Sequence, residues 1–158
     1  IAIPNGTEMI YYDRVQSEWP LQFQLNIGSH TPSWCTASGK LYLSNMSKNQ
    51  RLRLINKLPL RQYTRNTITD PITLEEELKK IRRTCVGLDN EEFIDGMVAC
   101  AVPIYDKADR LFACLFTHAP VIRKSLEELL DYVPTLIQAA SDLGNLIDDA
   151  NSYGKRDT

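Results

Sequence analysis

Few residues of this sequence could do chemistry: a serine–glycine–lysine triplet, four cysteines, two histidines and an acidic cluster. Ser38-Gly39-Lys40 has the ending of a phosphate-binding loop. That loop needs a glycine where Trp34 stands and a serine or threonine where Leu41 stands, so a nucleotide-hydrolysing loop is excluded. What survives is physical. Ala37, Ser38 and Gly39 are small residues at a predicted helix start, where backbone N–H groups lack helical partners and attract anions. Simple capping by Thr36 or Ser38 explains the same pattern, and the local sequence favours it. Cys35, Cys85, Cys100 and Cys114 form no Cys-x-x-Cys pair, and no histidine sits at zinc-finger spacing from them. No cofactor or metal motif stands out. Cys100 and Cys114 lie in apolar runs, as buried free thiols do. Reduced thiols of a cytoplasmic protein are the simplest reading. Cys35 and His118 could act as nucleophile and base, but nothing local fixes their geometry. Asp89-Asn90-Glu91-Glu92 supplies a carboxylate or a polar turn, and the local pattern favours the turn.

These groups must be positioned by a short series of elements. Residues 8–15 are rich in β-formers and predict a strand. Residues 20–25 alternate apolar and polar, which places Leu21, Phe23 and Leu25 on one inner face. Gly28 to Pro32 reads as a loop. A helix is predicted from Thr36 to about Asn45, and a second, short one carries Leu52, Ile55 and Leu58 up to Pro59. The clearest helix begins near Asp70-Pro71, a good N-cap followed by proline at the first helical position. Thr73 with Glu76 offers a competing capping box. Leu74, Leu78, Ile81 and Cys85 form one apolar stripe. The charges from Glu75 to Arg83 run acidic to basic, complement the helix dipole and read as a solvated face. Met97–Tyr105 and Leu111–His118 predict two strands joined at Asp106–Asp109. On the second, Phe112, Cys114, Phe116 and His118 share one face, and Leu111, Ala113, Leu115 and Thr117 the other. Ser125 with Glu128 is a capping box for a helix through Ile147 that Pro134 must kink or divide. The order predicts an α+β domain of antiparallel strands with helices packed to one side.

The chain has 158 residues, enough for one domain at roughly 100–200 residues each. Hydrophobic residues are 43% and charged residues 24%, which argues against disorder. A net charge of −2 excludes a basic nucleic-acid-binding surface as the whole story. No apolar stretch approaches the ~20 residues that span a bilayer. The N-terminus has no basic region followed by an apolar run, so it predicts no signal peptide. It does not start with methionine, and the chain reads as a piece of a longer protein.

Several blocks, in order, resemble IclR-type transcriptional regulators. The first is Trp34-Cys35-Thr36-Ala37-Ser38-Gly39-Lys40. The second is Tyr63-Thr64-Arg65-Asn66-Thr67-Ile68-Thr69-Asp70-Pro71. Leu88-Asp89-Asn90-Glu91-Glu92-Phe93-Ile94-Asp95-Gly96 and Ala101-Val102-Pro103-Ile104-Tyr105-Asp106 follow, and Ala139-Ala140 falls in the last helix. Each block alone is weak; their order from about residue 8 to residue 150 is specific. The resemblance implies the C-terminal effector-binding domain, residues 1–158 as one unit with a GAF-like antiparallel sheet. The family's N-terminal winged helix-turn-helix is absent from this chain. It further implies a sensor of small organic acids that does no chemistry and assembles as a homodimer or tetramer. Such a sensor meets DNA only through that other domain and has no membrane partner. Carried over by motif, Ala37, Ser38 and Gly39 supply backbone donors and Asp89 a side-chain contact. Met97, Ala99, Phe116 and His118 line the walls, with Leu21 and Phe23 added from the early strand. Members that take very small keto acids carry small hydroxyl residues where Phe116 and His118 stand. That points away from glyoxylate and pyruvate and toward a larger, partly aromatic acid. Two rivals remain open: a GAF-like enzyme using Cys35, and a dimerisation module with an unoccupied pocket.

Overall fold

The computed structural model of the chain describes residues 1–19 and 25–153, with side chains in the last helix through residue 146. The strand predicted over 20–25, with Leu21 and Phe23, therefore lies outside the described residues except for Leu25. A six-stranded antiparallel sheet has the order β3-β2-β1-β6-β5-β4. Its strands are β1 (Ala2–Asn5), β2 (Glu8–Tyr11), β3 (His30–Pro32), β4 (Gly87–Asn90), β5 (Met97–Tyr105) and β6 (Leu111–Pro120). The helices are α1 (Ala37–Asn45), α2 (Lys48–Ile55), α3 (Pro71–Thr84), α4 (Leu126–Leu130) and α5 (Val133–Tyr153). The α+β reading with an antiparallel sheet holds. β2 is shorter than predicted, and β1, β3 and β4 are strands where no strand was expected.

Helices cover both faces of the sheet, not one. β5 shows why. Its Ala99 and Ala101 pack with Ala37 and Leu41 of α1. Its Val98, Cys100, Val102 and Ile104 face the other way, against Leu129 of α4 and Ala140 of α5. A strand buried on both faces reads as a continuous apolar run, so periodicity could not reveal the second layer. Small side chains let α1 lie close. A Cβ on Gly87 would strike the Ala37 carbonyl, and one on Gly39 would strike the Ser33 backbone.

Capping sets the helix starts. Asp70 accepts from both the N–H and the hydroxyl of Thr73, at 2.7 and 2.8 Å, so Thr73 caps nothing itself. Leu74, Leu78 and Ile81 are buried as predicted, but Cys85 is not part of the stripe. It ends α3 in the left-handed conformation at φ 55° and is exposed, because the chain turns away there. The charge run on α3 is not wholly solvated either. Glu75 is buried in a two-bond pair with Arg51 of α2, because α2 lies across that side. A register shift between Ile104 and Tyr105 pairs Tyr105 with Leu111 and leaves Phe112 exposed. This β-bulge moves Leu111 onto the α1 side, reversing the predicted alternation at the start of β6. Ser125 and Glu128 form the predicted capping box, and the last helix divides before Pro134. No described helix is long and apolar enough to cross a membrane.

Candidate functional site

A cavity of about 50 Å³ lies between the start of α1 and the sheet. Its roof is Thr36, Ala37 and Ser38. Thr36 caps α1: its hydroxyl donates to the Pro32 carbonyl at 2.7 Å and accepts from the Gly39 N–H at 3.2 Å. Gly39 is thereby taken off the cavity; its N–H serves the cap, and its missing Cβ lets the chain pass Ser33. The first-turn N–H groups of Ala37 and Ser38 have no partner among the described residues and adjoin the cavity.

The floor follows from strand register. Asp89 of β4 pairs with Ala99 of β5, and Ala99 pairs with His118 of β6. One carboxyl and one imidazole thus flank a methyl group in a single cross-strand row. Phe116 and Met97 continue the walls. The Tyr11 ring meets Phe116 edge-on at 5.1 Å, and its hydroxyl lies 3.3 Å from His118 Nδ1. Burial pushes the Tyr11 hydroxyl up to about 12, although Arg14 opposes this. Of the expected residues, Ala37, Ser38, Asp89, Met97, Ala99, Phe116 and His118 meet around one cavity, and Gly39 does not. The sequence reading did not name Tyr11, Leu25, Thr31, Thr36, Phe93, Ile94 or Val98 as site residues. Phe93 and Ile94 stood inside a quoted block, and that was the available signal. Tyr11 and Thr31 sit on strands too short to show a period.

Beneath the roof lies a buried charge cluster. Lys40 is fully buried, binds Glu92 Oε1 and sits 3.9 Å from Glu77. Glu92 Oε2 is buried with no partner among the described residues. The Glu92 N–H donates to Asp89 at 2.8 Å. Burial raises Asp89 to about 7; the Glu92 backbone N–H opposes that shift, the Glu92 charge adds to it and Lys40 opposes it. Burial likewise raises Glu92, with Lys40 opposing. The 89–92 segment is fastened by a neighbouring loop. Thr64 donates to the Glu91 carbonyl and Thr67 to the Glu92 carbonyl, each at 2.6 Å. The Tyr63 ring stacks edge-on against Phe93 at 5.3 Å. The block from Tyr63 to Thr67 is thus a clamp on the carboxyl-bearing segment.

Cys35 is fully buried and does not line the cavity. Burial first, then the charges of Asp89 and Glu92, raise its thiol far above the ordinary range. A nucleophilic thiol needs the opposite shift and access, so the reactive-cysteine reading fails here.

Comparison with known proteins agrees with this fold. The family model described as "Bacterial transcriptional regulator IclR C-terminal" matches residues 1–145. The chain is 39% identical over 143 residues to the probable transcriptional regulator SauR of Cupriavidus necator, covering 90% of this chain and 57% of that protein. The chain thus spans little more than half the length of that relative. Among solved structures, the Thermotoga maritima IclR superposes with a TM-score of 0.84 at 28% identity, over 91% of this chain and 58% of the other. The inducer-binding domain of PobR from Acinetobacter, a double mutant in complex with 3-hydroxybenzoic acid, gives 0.81 at 28% identity, over 92% and 86%. These relatives are transcriptional regulators, not enzymes. With the match running over nearly all of the chain, and the motif residues gathered around one cavity, the chain belongs to the C-terminal domain family of IclR-type bacterial transcriptional regulators.

Proposed function

We propose that this domain senses a small organic acid in the cavity under α1 and passes that state to a DNA-binding domain through a homodimer or tetramer. The carrying observation is that Ala37 and Ser38, whose N–H groups have no partner among the described residues, line one walled cavity with Asp89 and His118. Unpaired donors at a helix start favour an anion. Phe116 and Met97 suit an apolar or aromatic middle, and His118 offers a ring nitrogen at the far end. The solved PobR domain with an aromatic acid supports the class of ligand. Operator binding would come from the N-terminal domain of the family, and the setting would be cytoplasmic.

At about 50 Å³ the cavity has room for one or two waters, far below the ~300 Å³ and more of common ligand sites. An acid of aromatic size must open it, moving the Phe116 or Met97 side chain. A ligand that needs a different arrangement biases the molecule toward that arrangement, as a sensor requires. The same small volume favours one rival, an assembly module whose cavity stays empty. A thermal-shift screen of acetate, pyruvate, benzoate and 3-hydroxybenzoate separates the two. A binder at 100 times its Kd adds about 2.7 kcal/mol. Ser38→Pro deletes one N–H and should weaken a binder by about 1.5–3 kcal/mol, as for a bond to a charged group. His118→Ala should change which acids bind more than whether acids bind. Wild-type affinity and preference in both variants would place the effector elsewhere.

A further inference from the structure

The effector cavity, if the reading above is right, has a charge imbalance. Its walls and the cluster behind them hold one buried cation, Lys40, against two buried carboxyls, Glu92 and Asp89. Lys40 is committed to Glu92, with Glu77 on its other side. Among the described residues, Asp89 is ion-paired to no cation. Glu92 Oε2 has no donor among them either, so this described cluster holds more acceptors than protons to fill them. An anion brought to the Ala37 and Ser38 N–H groups would add a further negative charge in the cavity that Asp89 lines.

We propose that the anionic effector enters this site together with one proton, carried on the Asp89 carboxyl, so that Asp89 meets the effector as a hydrogen-bond donor. Two buried like charges in one cavity favour protonation of one of them. As a neutral acid Asp89 can donate, whereas ionised it can only accept. Its selectivity then follows: Asp89 prefers an effector oxygen that accepts, such as a carbonyl or a second carboxylate oxygen. An ionised Asp89 would instead demand a hydroxyl or amine. Desolvation raises the Asp89 carboxyl even before the anion arrives, which makes the proton available near neutrality. The other titratable groups around it are Lys40 on α1, Cys35 before it, Glu92 after β4, His118 on β6 and Tyr11 on β2, with Glu77 of α3 behind Lys40. His118 and Glu92 offer other seats for the proton, the latter because burial raises it and its Oε2 has no partner among the described residues, and the test must separate them from Asp89.

The experiment is titration calorimetry of the chain with benzoate and with 3-hydroxybenzoate, in buffers of different ionisation enthalpy. The pH runs from about 6 to about 8.5, and wild type is compared with Asp89→Asn and His118→Gln. Wild type should take up close to one proton per anion above neutrality, and its affinity should fall by up to about tenfold per pH unit there. Asp89→Asn keeps a donor that cannot ionise, so it should bind without proton uptake and without that slope. Wild-type binding with no proton uptake overturns the inference and leaves the effector site standing. A slope that survives in Asp89→Asn also overturns it: the proton then sits on the histidine if the slope vanishes in His118→Gln, and on Glu92 if it survives in both. If neither acid, nor acetate or pyruvate, binds any of the three proteins, the effector site itself falls, and the coupling with it.

Discussion

Asp89 has a cost in the free protein that can be read without any ligand. Its carboxyl is raised to about 7, chiefly by burial, while an unfolded chain releases that proton near the ordinary value of about 4. Between those values the folded state holds a proton that the unfolded state has lost. Stability contributed by the neutral group is therefore present below about pH 4 and is lost as pH rises through about 7. The slope from one proton is at most about 1.4 kcal/mol per pH unit, and it flattens above the folded value. Glu75 and Asp70 act in the opposite sense at lower pH. Arg51 holds Glu75 down and the Thr73 N–H holds Asp70 down, so their contributions fade on acidification. Urea unfolding of wild type from about pH 5 to about pH 8 should show falling stability, and Asp89→Asn should remove most of that fall. Equal slopes in the two proteins would mean that Asp89 titrates normally.

Among elements, α1 carries the site because two different devices hold it. Small residues bring it against the sheet, and Lys40 ties it to the segment after β4. Lys40→Met should cost about 3–5 kcal/mol in urea unfolding, because Glu92 is left buried without its cation. A loss below about 1 kcal/mol would mean that Glu92 simply takes a proton instead. The caps of α1, α3 and α4 were legible in the sequence because a cap is a local bargain between side chain and backbone: Thr36, Asp70 and Ser125 bond within three residues. β1, β3 and β4 were not legible. Each has three or four residues, too few to show a period of two. Lys40 stood in the sequence as the end of a phosphate loop whose other positions do not fit. Its meaning depends on Glu92, 52 positions away, and no local pattern shows that pairing.

For the whole molecule, the site was legible only through the order of motif blocks, since the row Asp89, Ala99, His118 depends on the register of three strands. The blocks themselves contain Ala37, Ser38 and Asp89, and strand pairing then decided which residues face them. Gly39 is the instructive exception, a motif residue whose work is packing and capping. The same scale governs assembly. α4 and α5 bury Leu129 and Ala140 against the sheet, yet they and the turn between them leave Leu130, Tyr132, Ile137 and Leu146 exposed, the last at 64%. Ile137 and Leu146 flank the buried stripe of α5 on opposite sides, so one narrow seam does not use up its apolar surface. Large exposed apolar side chains on a helix mark a contact surface more often when they adjoin others. Light scattering over a dilution series should therefore show a homo-oligomer that dissociates on dilution. Ile137→Glu and Leu146→Glu test the two sides separately. The side that forms the contact should weaken association when its residue is charged, while the melting temperature of the dilute chain stays near that of wild type. A strict monomer at high micromolar concentration, or association untouched by both changes, would remove α5 from the assembly.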